Sequence, residues 1–168
     1  SDFAFRQLTK TENDAFWNAN DRRAKAERLG LTIPEVITLA SIVEEETNYQ
    51  PEKSRVAGLY LNRLRKGIRL QSDPTVKFAL KDFALNRILF EHLKVDDPYN
   101  TYKYAGLPPG PIRLPSVATI DAVLNAEKHN YIYMCAHPDF NGTHNFAVTL
   151  AEHNRNAAKY HVALRKWL

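Results

Sequence analysis

Leu31-Thr32-Ile33-Pro34-Glu35-Val36-Ile37-Thr38-Leu39-Ala40-Ser41-Ile42-Val43-Glu44-Glu45-Glu46-Thr47 is the stretch that decides the fold. Thr32 with Glu35 three residues later forms a capping box, and Leu31 can staple onto Val36 across it. The spacing predicts a helix from about Ile33 to Thr47. Val36, Leu39, Ala40 and Val43 recur at the 3.6-residue period and form a stripe that faces a core. The helix ends in three adjacent carboxylates. At about 100° per residue, Glu45 points nearly opposite the stripe while Glu44 and Glu46 flank it, so periodicity does not choose between those two.

Upstream, Glu12 to Leu29 reads as one polar lead-in helix stopped by Gly30. Downstream, Glu52 to Lys66 is a second amphipathic helix, with Val56, Leu59, Tyr60 and Leu64 on one face and Gly67 as its stop. Asp73 as N-cap with Pro74 at the first helical position starts a short helix, and another is expected near Phe83 to His92. From Asp96 to Pro115, five prolines and two glycines leave no room for a regular element. Tyr99, Tyr102, Tyr104 and Leu107 argue that this long loop packs and binds something. Ser116 or Thr119 opens a helix to about Lys128. Tyr131–Cys135 and His144–Val148 flank Asn141-Gly142, the signature of a hairpin. Thr149 with Glu152 caps a terminal helix reaching about Trp167. The order is α+β, helix-dominated, with one small hairpin.

The 168 residues are 44% hydrophobic and 25% charged, enough for one compact domain with a real core. The longest apolar run, Val36 to Val43, falls far short of the roughly 20 residues that span a bilayer. With no initiating Met and no charged-then-apolar leader, the expectation is a mature chain or a piece of a longer one. Cys135 is a single cysteine, so no internal disulfide and no Cys-rich zinc site is expected. A net charge of +4 would suit an anionic polymer. The basic residues are nevertheless scattered and interleaved with carboxylates, so each cluster reads as a solvated helix face and no nucleic-acid partner is expected. There is no G-x-S-x-G elbow, P-loop or G-x-G-x-x-G. His137, His144 and His153 show no i, i+4 pairing and no carboxylate at ligand spacing, which argues against a metal.

Glu46 lies in the helix's last turn, where unpaired carbonyls and the negative end of the macrodipole disfavour a charged carboxylate. Partial burial beside Val43 and the neighbouring Glu44 push its pKa the same way, as a general acid requires. A solubilising acidic helix end is the plainer reading of the same residues.

Ala40 to Thr47 followed by Asn48-Tyr49-Gln50-Pro51 resembles the lysozyme-like lytic transglycosylase pattern, an apolar helix, then Glu-Thr, then Pro five residues after the Glu. Further blocks are Asn62-Arg63-Leu64, Arg69 to Val76, Tyr99-Asn100-Thr101-Tyr102, Gly106 to Ile112, His144-Asn145-Phe146 and His153-Asn154. In this order they make the chain similar to the catalytic domain of the YceG-like (MltG) endolytic murein transglycosylases. The resemblance runs from roughly Leu31 to the C-terminus. It implies a lysozyme-like catalytic domain over residues 31–168, preceded by a lead-in helical segment over 1–30. Glu46 is then the sole acid/base, with Asp73 to be weighed as a second acid and assistance from Glu44 left open. Thr47, Gln71, Ser72, Asp73, Tyr99, Asn100, Thr101, Tyr102, Leu107, Pro108, His144, Asn145 and Phe146 are the substrate-binding candidates. Tyr99 to Tyr102 place aromatic faces beside amide and hydroxyl groups, the mixture that suits glycans. The plainer roles are an N-cap for Asp73, turn chemistry for Gln71 and Ser72, and loop packing for the tyrosines. No cofactor is implied. The implied partners are peptidoglycan glycan strands and peptidoglycan synthases. The implied location is the bacterial inner membrane, with the domain facing the periplasm or wall and held by an anchor absent from this chain.

Overall fold

Helix α3 (Ile33–Glu46) runs through the centre of the molecule, in a computed structural model that describes residues 9–82, 85 and 88–168. Its capping box forms in both halves, Glu35 N–H to Thr32 Oγ1 at 3.3 Å and Thr32 N–H to Glu35 Oε1 at 2.9 Å. Val36, Leu39, Ala40, Ile42 and Val43 are fully buried. Around this helix pack α4 (Lys53–Lys66), α5 (Asp73–Leu80), α6 (Val117–Leu124) and the upstream α2 (Arg22–Leu29). Strands β1 (Tyr133–Ala136) and β2 (His144–Ala147) pair antiparallel with Tyr133 opposite Ala147 and Ala136 opposite His144. The terminal α7 (Leu150–Trp167) lies across both strands. This is the expected helix-dominated α+β order. No helix among the described residues is long and apolar enough to cross a membrane.

Several expected boundaries move, for identifiable reasons. The lead-in segment is two helices, α1 (Lys10–Asn18) and α2, because Asn20 and Asp21 take positive φ of 54° and 60°, which these two residue types tolerate better than most. Arg22 fixes the kink: it donates to Phe16 O at 3.0 Å and grips Asp121 of α6 with two bonds of 2.9 and 3.1 Å. Trp17 and Ala26 thereby join the same core as α3. Helix α4 begins at Lys53, since Gln50–Glu52 form a 3-10 turn. Ser72, not Asp73, holds the N-cap position of α5, and no side chain caps it. The helix expected near Phe83–His92 falls partly outside the described residues, and Phe90–Lys94 is a 3-10 helix. Helix α6 stops at Leu124, four residues early, as Glu127 N–H reaches Ser54 O at 3.0 Å and draws the chain onto α4.

That crossing depends on Gly58. A Cβ there would sit 2.3 Å from Glu127 O and 2.7 Å from His129 Nε2. Since a backbone oxygen cannot rotate away, Gly58→Ala is expected to lose about 1–3 kcal/mol by overpacking despite the better helix propensity of alanine. Urea unfolding of the two proteins measures it.

The long loop is ordered from within. Asn100 is fully buried and its amide donates to Leu93 O at 2.9 Å and Val95 O at 2.8 Å. Ser41 of α3 accepts from Ile112 N–H at 3.0 Å, which ties the far end of the loop to the central helix.

Candidate active site

The end of α3 delivers the three carboxylates to three different environments. Glu45 is exposed and pairs with Arg113 at 3.0 Å. Glu44 turns to the opposite side of the helix, where Lys53 Nζ and the Ser116 N–H donate to its two oxygens. Burial works to raise its pKa, but the Lys53 and Ser116 bonds win and hold it at about 2. It is therefore an anion near neutral pH, paired with Lys53 and bonded to Ser116 on α6's cap.

Glu46 faces a cleft. Tyr60 from α4 donates its hydroxyl to Oε1 at 2.6 Å, and Ser72 donates to the same oxygen at 2.8 Å. Oε2 carries no protein hydrogen bond among the described residues, so it is the oxygen open to a ligand. Burial pushes the Glu46 pKa up, with nearby Asp73 adding to it, against the opposing pull of Tyr60, Ser72 and His144. The outcome is a carboxyl that holds its proton to higher pH than an exposed glutamate. Tyr60 is itself raised well above the tyrosine range by burial and by the Glu46 charge, so it stays a donor.

The local fold explains how Ser72 gets there. Gly67 ends α4 with a left-handed turn, Leu70 inserts into the core, and Gln71 takes φ +51° while its N–H bonds Thr101 O at 3.2 Å. Thr101 Oγ1 then accepts from Ser72 N–H at 2.9 Å and shares a 2.8 Å hydrogen bond with Thr75. With its backbone held, the Ser72 hydroxyl points to Glu46 instead of capping α5. Asp73 accepts from the Tyr102 hydroxyl at 2.5 Å.

Two lobes of about 450 and 580 Å³ open on either side of Glu46 and share Glu46, Ala136 and His144 as common wall. The first is lined by Gln71, Asp73, Tyr102, Arg63, Tyr133 and His153, among others. The second runs between Thr47–Tyr49 and the hairpin loop, with Phe140 and Tyr160 on its far side. Of the sequence candidates, Glu46, Thr47, Gln71, Asp73, Tyr102 and His144 line this cleft. Ser72 and Thr101 stand directly behind it. The others are elsewhere. Asn100 is buried with its amide bonded to the backbone, and Tyr99 packs at a tilt against Phe78, ring centroids 4.6 Å apart. Leu107 packs on the core and Pro108 is buried. Asn145 sits opposite Cys135 in the sheet, and Phe146 packs against Tyr131 at 5.7 Å with Arg55 5.5 Å from its ring. None of these six lines either lobe.

Sequence reasoning missed Tyr60, Glu52 and Arg63. Tyr60 was legible as an apolar-face residue whose buried hydroxyl would need a partner. Arg63, nearly buried, donates to Ile132 O and Arg69 O at 2.7 Å each and so fixes one wall of the first lobe. His144, which has no carboxylate at ligand spacing in the sequence, meets Glu52 in the fold, with Nδ1 2.9 Å from Oε2 across 92 positions.

Comparison with known proteins converges on one group. The model of the YceG-like family matches residues 3–159. An endolytic murein transglycosylase of Bacillus subtilis is 38% identical over 130 residues, covering 77% of this chain and 35% of the relative. One from Streptococcus pneumoniae is 34% identical over 134 residues, covering 77% and 24%. The crystal structure of a yceG-like protein from Listeria monocytogenes superposes with a TM-score of 0.75 at 36% identity, covering 85% of this chain and 44% of that one. The chain thus spans between a quarter and a half of the length of these relatives.

Proposed function

We propose, since the chain belongs to the YceG-like family, that it cuts peptidoglycan glycan strands internally as a lytic transglycosylase, with Glu46 as its single acid/base. The observation that carries this reading is the partly buried Glu46 carboxyl, pKa raised, at the wall common to two open lobes. A strand lying through both lobes places sugars on each side of the acid, as cleavage within a chain requires.

The protonated carboxyl gives its hydrogen to the oxygen that links N-acetylmuramic acid to N-acetylglucosamine. The C1–O bond breaks with its electron pair on that oxygen, which departs as the 4-hydroxyl. Positive charge develops at C1. The muramic acid C6 oxygen closes on C1 while the Glu46 carboxylate takes the C6 hydroxyl proton, giving a 1,6-anhydro end. The enzyme is back in its starting protonation state and no water is consumed. Tyr60 and Ser72 hold Oε1 throughout, so the hydrogen leaves and returns at Oε2. Retaining or inverting hydrolysis instead needs a second carboxylate about 5–9.5 Å away. Asp73 is the candidate for it in the first lobe, but one of its oxygens accepts from Tyr102.

Mass spectrometry of digested sacculi tests the reading. Fragments ending in anhydro sugar are expected. Reducing ends would replace it with a hydrolase using Glu46 and Asp73, and sacculus binding without release would replace it with a binding module. The same reading puts the domain on the wall side of the bacterial inner membrane, ending new strands as synthases extend them.

A further inference from the structure

Glu52, at the end of the 3-10 turn that precedes α4, is a nearly buried carboxylate that the proposed reaction does not use. Its oxygens are divided between two hydrogens of one residue. Oε1 accepts from the His144 backbone N–H at 2.7 Å, and Oε2 lies 2.9 Å from His144 Nδ1. Burial raises the Glu52 pKa, but the two His144 bonds, with Thr47 adding to them, prevail and keep it a carboxylate. A carboxylate can only accept, so Nδ1 carries the hydrogen. In the neutral ring, Nε2 then presents a lone pair. The His144 ring lies in the wall shared by the two lobes, beside Glu46, and its Nε2 has no protein partner among the described residues.

We propose, resting on the transglycosylase reading, that Glu52 is a positioning residue that fixes the ring of His144 so that Nε2 accepts a hydrogen bond from a sugar hydroxyl at the cleavage point. The competing role is a plain tie between β2 and the start of α4. The two separate at Glu52→Gln. An amide has one accepting oxygen, and the His144 backbone N–H, which can only donate, takes it. The amide NH₂ is left facing Nδ1, which must become the acceptor, and the hydrogen moves to Nε2. The variant keeps the shape and the tie and reverses the tautomer.

The test uses the full chain carrying ¹⁵N-labelled histidine, read by long-range proton–nitrogen NMR at mildly alkaline pH and by steady-state cleavage of soluble glycan strands. Wild type is expected to show His144 protonated at Nδ1, and Glu52→Gln protonated at Nε2. The variant's kcat should fall about tenfold or more with KM within about threefold of wild type, the signature of an interaction made in the transition state. His144→Asn, whose amide reproduces the Nδ1 donor and lacks Nε2, should lose the same kcat with a melting temperature close to wild type. Active wild type with both variants at full kcat, or an unchanged tautomer in Glu52→Gln, overturns the proposal alone. Wild type that releases no fragments overturns the transglycosylase reading, and this proposal with it.

Discussion

Glu46→Gln is expected to lower turnover by at least about 10²–10⁴-fold, the range that a single general acid–base group supplies, since in the proposed reaction one carboxyl performs both proton transfers. Glutamine keeps the shape and an oxygen that can accept from Tyr60 and Ser72, so the cleft should stay intact. The loss is then chemical, and cleavage of purified glycan strands by the two proteins measures it. Glu45→Gln is the comparison, with a far smaller loss expected: the side chain borders the second lobe but is exposed and paired with Arg113.

The same substitution has an opposite effect on stability. Burial raises the folded-state pKa of Glu46 above its unfolded value. Such a group contributes stability that is fully present below the unfolded pKa and is lost as pH rises through the folded pKa. Glutamine never ionises, so Glu46→Gln should melt above wild type at alkaline pH and converge with it in acid. Activity follows the same proton: the rate should fall as pH rises and Glu46 ionises. Removing the donor in Ser72→Ala, which favours the carboxylate, should carry that alkaline limb to higher pH. A limb that stays in place would show that another group sets it.

What was legible in the chain was whatever is written locally. The Thr32–Glu35 box, Gly67 and the Asn141-Gly142 turn fix their elements through contacts within a few residues, and each lies close to its predicted place. The kink at Asn20 was not legible, because Arg22 sets it through Asp121, 99 residues away. The choice between Glu44 and Glu46 shows the limit well. Both flank the apolar stripe, and what separates them is a lysine nine residues on for one and a tyrosine and a serine from other elements for the other. In the Tyr99–Tyr102 block all four residues carry glycan-binding chemistry, whereas only Tyr102 lines the cleft. A loop of that length must satisfy its own backbone groups before it can serve a ligand, and Asn100 and Thr101 are committed to that.

Lys53→Met is expected to cost about 3–5 kcal/mol, the penalty for leaving a buried charge without its partner. The Lys53 and Glu44 side chains are only 6% and 12% exposed, so little solvent screens the pair. Lys53 also donates to Thr119 Oγ1 at 2.9 Å, and Glu44 takes the Ser116 N–H at 2.7 Å, so the cluster joins α3, α4 and the start of α6. Methionine fills the lysine stem but strands the carboxylate. Glu44→Gln in the Lys53→Met background should recover most of the loss, since a neutral amide still accepts from Ser116 and leaves no orphan charge. Urea unfolding of the four proteins gives the coupling, and additive losses would show that the pair does not act as a unit. The sign with pH is also fixed. A carboxylate lowered to about 2 contributes stability above its unfolded value of 4.5 and loses it as pH falls toward 2. The difference between wild type and Lys53→Met should therefore be full at neutral pH and shrink through that acid window. Neither residue lines the cleft, so well below its melting temperature Lys53→Met should cleave glycan at close to the wild-type kcat, the reverse of the pattern at Glu46.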